Sequence, residues 1–343
     1  MKKCSWVILT VYLFHGFIAS AQPSAAGNLQ LFSDDRTIDL TLATDYKNLF
    51  SQKRKIEYQP ATITFHLPDS AVISEDIQLE ARGHYRKDQC YMPPILLNFK
   101  NPTSPKLQSL NKLKLVVGCG TSNDDGQLVV KEALVYKIYN LLTDMSLRIR
   151  MLRVTYQDTK GKIKSYTQFG FLLEDMDAMA KKNNCYQVKK QAFNTESTDR
   201  EQMTLVAIFE YMIGNMDWSV PVYHNIKLMR PVTDSFAMPY AIAYDFDHSG
   251  FVNAGYALPP EGFEMNSVKE RVYRGFPRTM EELQATLDIF RQKKESIKNM
   301  VMNFEPLTSK YKKEVWSYLD EFFNMIENKS DVKSIFINNA RQQ

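Results

Sequence analysis

Hydrophobic and polar positions alternate with a period of two through much of the first half of the chain. Thr37–Leu42 reads TIDLTL, Ala61–Leu67 reads ATITFHL and Ile77–Ala81 reads IQLEA, with proline- and asparagine-bearing turns between them. Alternation bounded by turn residues predicts half-buried strands. Pro93-Pro94 leads into a further strand, Ile95–Phe99, and Lys112–Val117 (KLKLVV) gives another. The period then changes. In Gln127–Leu142 the residues Val130, Ala133, Leu134, Ile138 and Leu141 recur at helical spacing, which predicts a helix. Two more strands follow, Leu152–Gln157 and Ser165–Leu173, joined at Gly161. The expected product is an antiparallel sheet of about five strands with one helix.

The second half reads differently. Thr198-Asp199-Arg200-Glu201 has the form of a capping box. It opens a helix that is apolar on most sides, with Met203, Val206, Ile208, Phe209, Met212 and Ile213, and such a helix is a buried one. It stops at Gly214. Thr279–Met300 and Thr308–Ile326 read as amphipathic closing helices, with Pro306 punctuating the gap. The expected division is therefore a strand-rich part over residues 22–175 and a mainly helical part over residues 176–343.

Between these helices, Gly214–Gly250 carries two apolar runs, Asn225–Arg230 and Met238–Asp245, separated by a polar insert with Pro231 and Asp234. Runs of that length predict a hairpin. Folding it near Ser235 sets Asn225 opposite Asp245, and Asp247 shares the face of Asp245 if the strand extends that far. Asp217 sits on the loop entering the first strand. Three carboxylates and an amide then converge on one end of an apolar hairpin. Hard divalent cations such as magnesium take oxygen ligands, often one or two carboxylates plus substrate phosphates. A further carboxylate can orient or deprotonate an attacking hydroxyl. In the blander reading Asp217 caps a turn and Asp245-Phe246-Asp247 is a solvated strand end, but clustered carboxylates repel unless a cation or proton separates them.

Other charged positions change the picture less. Arg82-Gly83-His84-Tyr85-Arg86-Lys87 is a basic loop in which Arg82 and Arg86 are placed to grip phosphate oxygens, or simply a solvated turn. Glu132 lies on the helix flank that carries Leu128, Val135 and Tyr139, and if buried it needs a cation, which Lys112 or Lys114 is placed to supply. Glu174-Asp175-Met176-Asp177 makes an acidic corner where strands give way to helices, either a hinge or a helix start. Ser267–Arg278 is basic and aromatic, suited to an anionic substrate or to the surface.

Met1-Lys2-Lys3, the mostly apolar Cys4–Ile18 and the small residues Ala19-Ser20-Ala21 have the form of a signal peptide over residues 1–21. The apolar run is too short and interrupted for a comfortable membrane span, and an uncleaved anchor is the alternative reading. An exported bacterial protein, periplasmic or extracellular, is expected. Losing Lys2 and Lys3 lowers the net charge from +4 to +2, which gives no case for nucleic acid as a partner. Cys90, Cys119 and Cys185 remain, and one pair can form in an oxidising compartment, Cys90–Cys119 being favoured without the residues alone establishing it.

An acid and an asparagine followed by Asp-Phe-Asp, after a strand-rich half, resembles the protein-kinase arrangement. The chain is more similar to the atypical, secreted spore-coat protein H (CotH) kinase family. The resemblance lies in the Arg-Gly loop after Leu79, LLNFK, the helix with Glu132, GFLLEDMD and YDFDHSG. Between residues 80 and 276, RGHYRKDQCYMPP, KLKLVVGC, KEALVYKIYNLL, NMDWSVPVYHNIKL, YDFDHSGFVNAGYA and SVKERVYRGF resemble still more closely an uncharacterised family of exported bacterial proteins. There, cysteines matching Cys90 and Cys119 recur together, which implies their pairing.

The kinase resemblance implies an α+β, two-lobed atypical kinase-like fold with an antiparallel-sheet N-lobe and a mainly helical C-lobe. It implies Asp217 as catalytic acid, and Asn225, Asp245 and Asp247 as ligands of Mg2+ or Mn2+ held with ATP. Arg82, Arg86, Lys114, Glu132 and Glu174 would bind the nucleotide cofactor. This sequence departs from the pattern in three respects: Asp217 and Asn225 are eight apart rather than five, no glycine-rich phosphate loop is present, and no single lysine is the clear phosphate binder. The expected activity is transfer of a phosphoryl group from a nucleotide to a hydroxyl of a protein or small molecule. The alternatives are a degenerate kinase-like binding or scaffold protein of the cell envelope, and a metal-dependent hydrolase.

Overall fold

A computed structural model describes residues 29–341 other than 56, 84 and 190, so the expected signal peptide lies outside the described residues. The alternating segments of the first half become seven strands. They are β1 (Ile38–Thr44), β2 (Gln59–His66), β3 (Val72–Ala81), β4 (Ile95–Asn98), β5 (Lys112–Val116), β6 (Ile149–Asp158) and β7 (Tyr166–Leu173). Their order is β1-β2-β3-β4-β5-β7-β6, and β6 returns to β1 to close a barrel. Six of the pairings are antiparallel, but β1 and β6 run parallel from Ile38 beside Leu152 to Thr44 beside Asp158.

This overturns the expected two-lobed kinase-like fold with an antiparallel-sheet N-lobe. The first half is a closed, mixed seven-stranded barrel. Alternation reports which face a strand buries, not which strand it meets. Ile38, Leu40 and Leu42 of β1 and Leu152, Val154 and Tyr156 of β6 are all buried in one core. Pairing the two strands also removes two exposed edges of unpaired backbone groups. Phe65, Leu79, Leu97 and Leu115 fill the same interior.

The chain crosses from β5 to β6 through α3 (Asn123–Leu142), which starts at a capping box of Ser122 and Asp125. This helix is buried on nearly every side because it lies between β7 and α6 (Met280–Asn303). With α5 (Arg200–Ile213) and α7 (Ser309–Glu327) it builds a second core around Leu134, Ile138, Phe209, Ile213, Phe290 and Phe322. Short helices α1 (Tyr46–Gln52), α2 (Tyr85–Gln89), α4 (Met176–Lys182) and α8 (Lys329–Lys333) fill the connections. The basic stretch after β3 is thus partly helical, since α2 carries Arg86.

The expected hairpin is present as β9 (Ile226–Pro231) and β10 (Tyr240–Ala243), flanked by β8 (Cys185–Val188) in a small antiparallel sheet. Its register differs by one residue from a fold about Ser235. Ala243 pairs with Ile226, and the Tyr244 N–H donates to the Asn225 carbonyl at 3.1 Å, so Tyr244 rather than Asp245 stands opposite Asn225. The strand does not reach Asp247, because Asp245 turns into the left-handed region at φ +66°. Among the described residues no helix is long and apolar enough to cross a membrane. Cys90 and Cys119 form a disulfide, and Cys185 is free and buried.

Candidate functional site

Helix α5 ends at Gly214, whose left-handed φ of +65° a residue with a side chain adopts poorly. A Cβ there would also lie 2.1 Å from the Tyr318 hydroxyl. The turn sends the chain into a loop folded on itself, with Ser219 and His224 exchanging both backbone hydrogen bonds at 2.8 and 2.9 Å. Asp217 is fixed from three directions. Its N–H donates to Asn215 Oδ1 at 3.0 Å, His224 Nε2 lies 2.6 Å from its Oδ1, and Asn225 Nδ2 donates to its Oδ2 at 3.0 Å and its carbonyl at 2.7 Å. The Asp217 side chain nevertheless stays 38% exposed.

Asn225 also joins this loop to the next. Its side chain holds Asp217, while its carbonyl accepts the N–H just before Asp245. A second staple lies lower down, where Gly250 N–H donates to the Gly214 carbonyl and Phe251 N–H to that of Ile213, both at 3.0 Å. The loop of Asp217 and the loop of Asp245 and Asp247 therefore form one hydrogen-bonded frame. Asp217 and His248 line the same cleft, of about 170 Å³.

Behind that frame lies a cluster of charge. Glu132 and Tyr136, one helical turn apart on α3, both point into it. The Asp245 N–H donates to the Tyr136 hydroxyl at 2.8 Å. Asp247 is buried, accepts the Tyr256 hydroxyl at 2.9 Å and has Arg86 at 3.8 Å. Arg86 also donates to the Val117 carbonyl and lies over the Tyr256 ring at 5.7 Å. Lys114 and Lys227 approach opposite Tyr244, at 5.7 and 5.5 Å from its ring centroid.

Burial dominates the electrostatics. It pushes Glu132 well above the usual carboxylate range, aided by the charges of Asp247 and Asp245 and opposed by Arg86 and Arg82. Burial, then Asp247, raises Asp245 as well, against the pull of Arg82, Arg86 and Lys114. Lys114 is lowered by burial and by Arg82. One Glu132 oxygen and the Arg82 and Arg86 Nε atoms are buried without a hydrogen-bond partner among the described residues. Such groups cost about 1–3 kcal/mol each, more when charged. The Asp245 carboxylate likewise accepts no hydrogen bond from a described residue.

Of the residues singled out from sequence, Arg82, Arg86, Lys114, Glu132, Asp245 and Asp247 face one another, and Asn225 ties Asp217 to them. The cations beside Glu132 are Arg86 and Arg82, not the expected Lys112 or Lys114. Lys112 instead lies over the Tyr58 ring at 5.6 Å. Glu174 stands apart. It is buried beneath Arg148, accepting from its Nε at 3.0 Å and its backbone N–H at 2.9 Å.

Among the described residues no three histidine, cysteine, aspartate or glutamate side chains gather as a metal cage. Asp247 and Asp245, the latter accepting no hydrogen bond from a described residue, are a smaller donor set, and the Asn225 amide turns its Nδ2 to Asp217. Magnesium typically takes one or two protein carboxylates and completes its shell with water and substrate phosphates. Asp245 and Asp247 match that number of carboxylates, with Arg86 3.8 Å from the second.

Sequence reasoning missed Tyr136, His224, Glu210, Tyr256 and Arg274. Tyr136 was accessible, since it follows Glu132 by four residues on a predicted helix. Glu210 lies on α5 beneath the Asp217 loop, with both carboxylate oxygens buried and unpartnered among the described residues, and burial pushes it up to about 8. Arg274 donates to the Met216 and Trp218 carbonyls that flank Asp217. Nothing in the local pattern marks Tyr256, and the basic stretch Ser267–Arg278 contains Arg274 without setting it apart from its other cations. In comparison with known proteins, the chain matches no family model and no curated relative.

Proposed function

We propose that this chain is an exported phosphotransferase that moves a phosphoryl group from a nucleotide to a hydroxyl. The observation that carries this reading is the Asn225 frame. It ties the loop that carries an accessible, oriented carboxylate at Asp217 to the loop of Asp245, whose carboxylate accepts no hydrogen bond from a described residue and feels the charges of three cations. Phosphoryl transfer needs little covalent help from a protein and depends on positioning and charge neutralisation. Asp217 would orient the acceptor hydroxyl and take its proton. Arg82, Arg86 and Lys114 would hold phosphate oxygens. Asn225, Asp245 and Asp247 would hold Mg2+ or Mn2+, which when bound neutralises charge on the phosphates. The motif resemblance to the CotH kinases supports the same chemistry, and the disulfide agrees with export.

The test is incubation of the purified chain with labelled ATP and either cation. The expected result is metal-dependent label transfer that Asp217→Asn lowers by roughly 10²–10⁴-fold, while the nucleotide still raises the melting temperature of that variant. Asp245→Ala should abolish metal-dependent nucleotide binding, and tight binding by this variant would end the proposal. Phosphate release without a phosphorylated product would point to a hydrolase instead.

One observation favours a binding or scaffold role without turnover. The void enclosed by Arg86, Glu132, Asp247 and Tyr256 is only about 10 Å³, enough for about one water. Arg86, the cation in that lining, lies 3.8 Å from Asp247, and the void leaves no room for a phosphate beside it. Neither transfer nor a nucleotide-induced melting shift would select that role.

A further inference from the structure

We infer that the cleft beside Asp217 is a subsite for a phenol, and that the acceptor of this protein is a tyrosyl side chain. The inference rests on the phosphotransfer reading for the reaction, but not for the binding.

The cleft of about 170 Å³ has Met216, Pro260, Met265 and Val268 on its walls, with Asp217 and His248 as its polar members. An apolar cavity of about 150 Å³ is enough to take a benzene ring, so one six-membered ring fits. The walls also discriminate. A sugar or polyol would bring several hydroxyls against methionine, proline and valine, whose side chains offer them no strong hydrogen-bond partner. A seryl side chain reaches Asp217 with a single carbon and leaves the apolar walls wet. A phenol carries one hydroxyl at the end of an apolar ring, which matches a lining divided between apolar side chains and the polar Asp217 and His248. Thioethers make favourable contacts with aromatic rings, and Met216 and Met265 both stand in the lining. Leu258, also in the lining, is 72% exposed, and Phe263, two residues before Met265, is 41% exposed. Such apolar groups suit a ring presented on a peptide.

Asp217 is ready for that hydroxyl. Each of its oxygens already has one neighbour, His224 or Asn225, and an ionised carboxylate oxygen has room to accept a second bond. In the transfer, the phenolic oxygen forms the new bond to phosphorus and the phosphoanhydride bond of the nucleoside triphosphate breaks. The phenolic proton passes to Asp217, and the nucleoside diphosphate leaves with the electron pair.

The experiment is NMR of the full chain labelled at its methionine methyl groups, titrated with N-acetyl-tyrosinamide and no nucleotide or metal. The expected result is saturable ring-current shifts of the Met216 and Met265 signals, at concentrations where N-acetyl-serinamide moves neither. Met265→Glu should weaken the response at Met216 at least about tenfold, or 1.4 kcal/mol. The exposed Leu258→Lys should weaken it less and guards against misfolding of the first variant. Unmoved signals with the tyrosine amide, or equal shifts with the serine amide, would overturn the inference. Saturable shifts in a protein that transfers no phosphate would uphold the subsite and remove the phosphotransfer reading alone.

Discussion

Asp217 and Asp247 lie on two loops joined by the contact of Gly214 with Gly250, yet their side chains are 38% and 6% exposed. Asp217 keeps His224 and Asn225 beside it and still opens on the cleft. Asp247 is covered by Tyr256 and Arg86, and shares its surroundings with Asp245 and Glu132. The buried acids depend on their cations, because a charge removed from water needs a partner. The exposed acid depends only on its orientation, since water already solvates it. Burial and access are thus divided between neighbouring loops, one holding charge in place and the other opening on a cleft.

The largest expected effect comes from breaking the buried side. Arg86→Met removes the cation nearest Asp247 and should destabilise the chain by about 3–5 kcal/mol, measured by urea unfolding. A loss below about 1 kcal/mol would mean that the cluster tolerates unpaired charge and that the contrast is false.

A smaller effect is expected at Glu210, which sits beneath the exposed side but is itself buried. Its folded-state value of about 8 lies above the ordinary 4.5, so the folded chain keeps a proton that the unfolded chain gives up. Stability from this group is full below about 4.5 and falls as pH rises towards about 8. Glu210→Gln should melt with wild type at pH 4 and above it at pH 9. The gain should be at least about 1 kcal/mol, or roughly 2–4 °C. Parallel pH profiles for the two proteins would remove Glu210 from the buried class.

The smallest effect belongs to the exposed pair. His224→Ala, at side chains 54% and 38% exposed, should change stability by no more than about 1 kcal/mol. Transfer should fall more than stability, because Asp217 loses one of the contacts that aim it.

The residues of the charge cluster were legible in the sequence because they were unusual. Asp245 and Asp247 follow an apolar strand, Arg82 and Arg86 interrupt a strand pattern, and Glu132 sits on a helix flank with Leu128, Val135 and Tyr139. Their environments were not legible. The carboxylate of Glu174 looks no different in sequence from that of Glu132, yet Arg148 binds it elsewhere. The strands were found, but β1 beside β6 joins residues more than a hundred positions apart, and a period of two holds no record of that neighbour. The hairpin register slipped by one because the Asp234 carboxylate, accepting from the Phe236 and Ala237 N–H groups at 2.8 and 3.1 Å, builds its own turn there. A symmetric fold about Ser235 ignores that local bonding.

The bond between Cys90 and Cys119 has a consequence beyond rigidity. Cys90 directly follows α2, which brings Arg86, and Cys119 comes just ahead of α3, which brings Glu132. One covalent link thus fastens the carrier of a positive group to the carrier of a negative one. Cellular thiols would keep that link open, so a copy retained among them lacks the clasp that holds opposite charges together. Oxidation of the pair completes the molecule, and the redox state of its surroundings becomes part of its assembly.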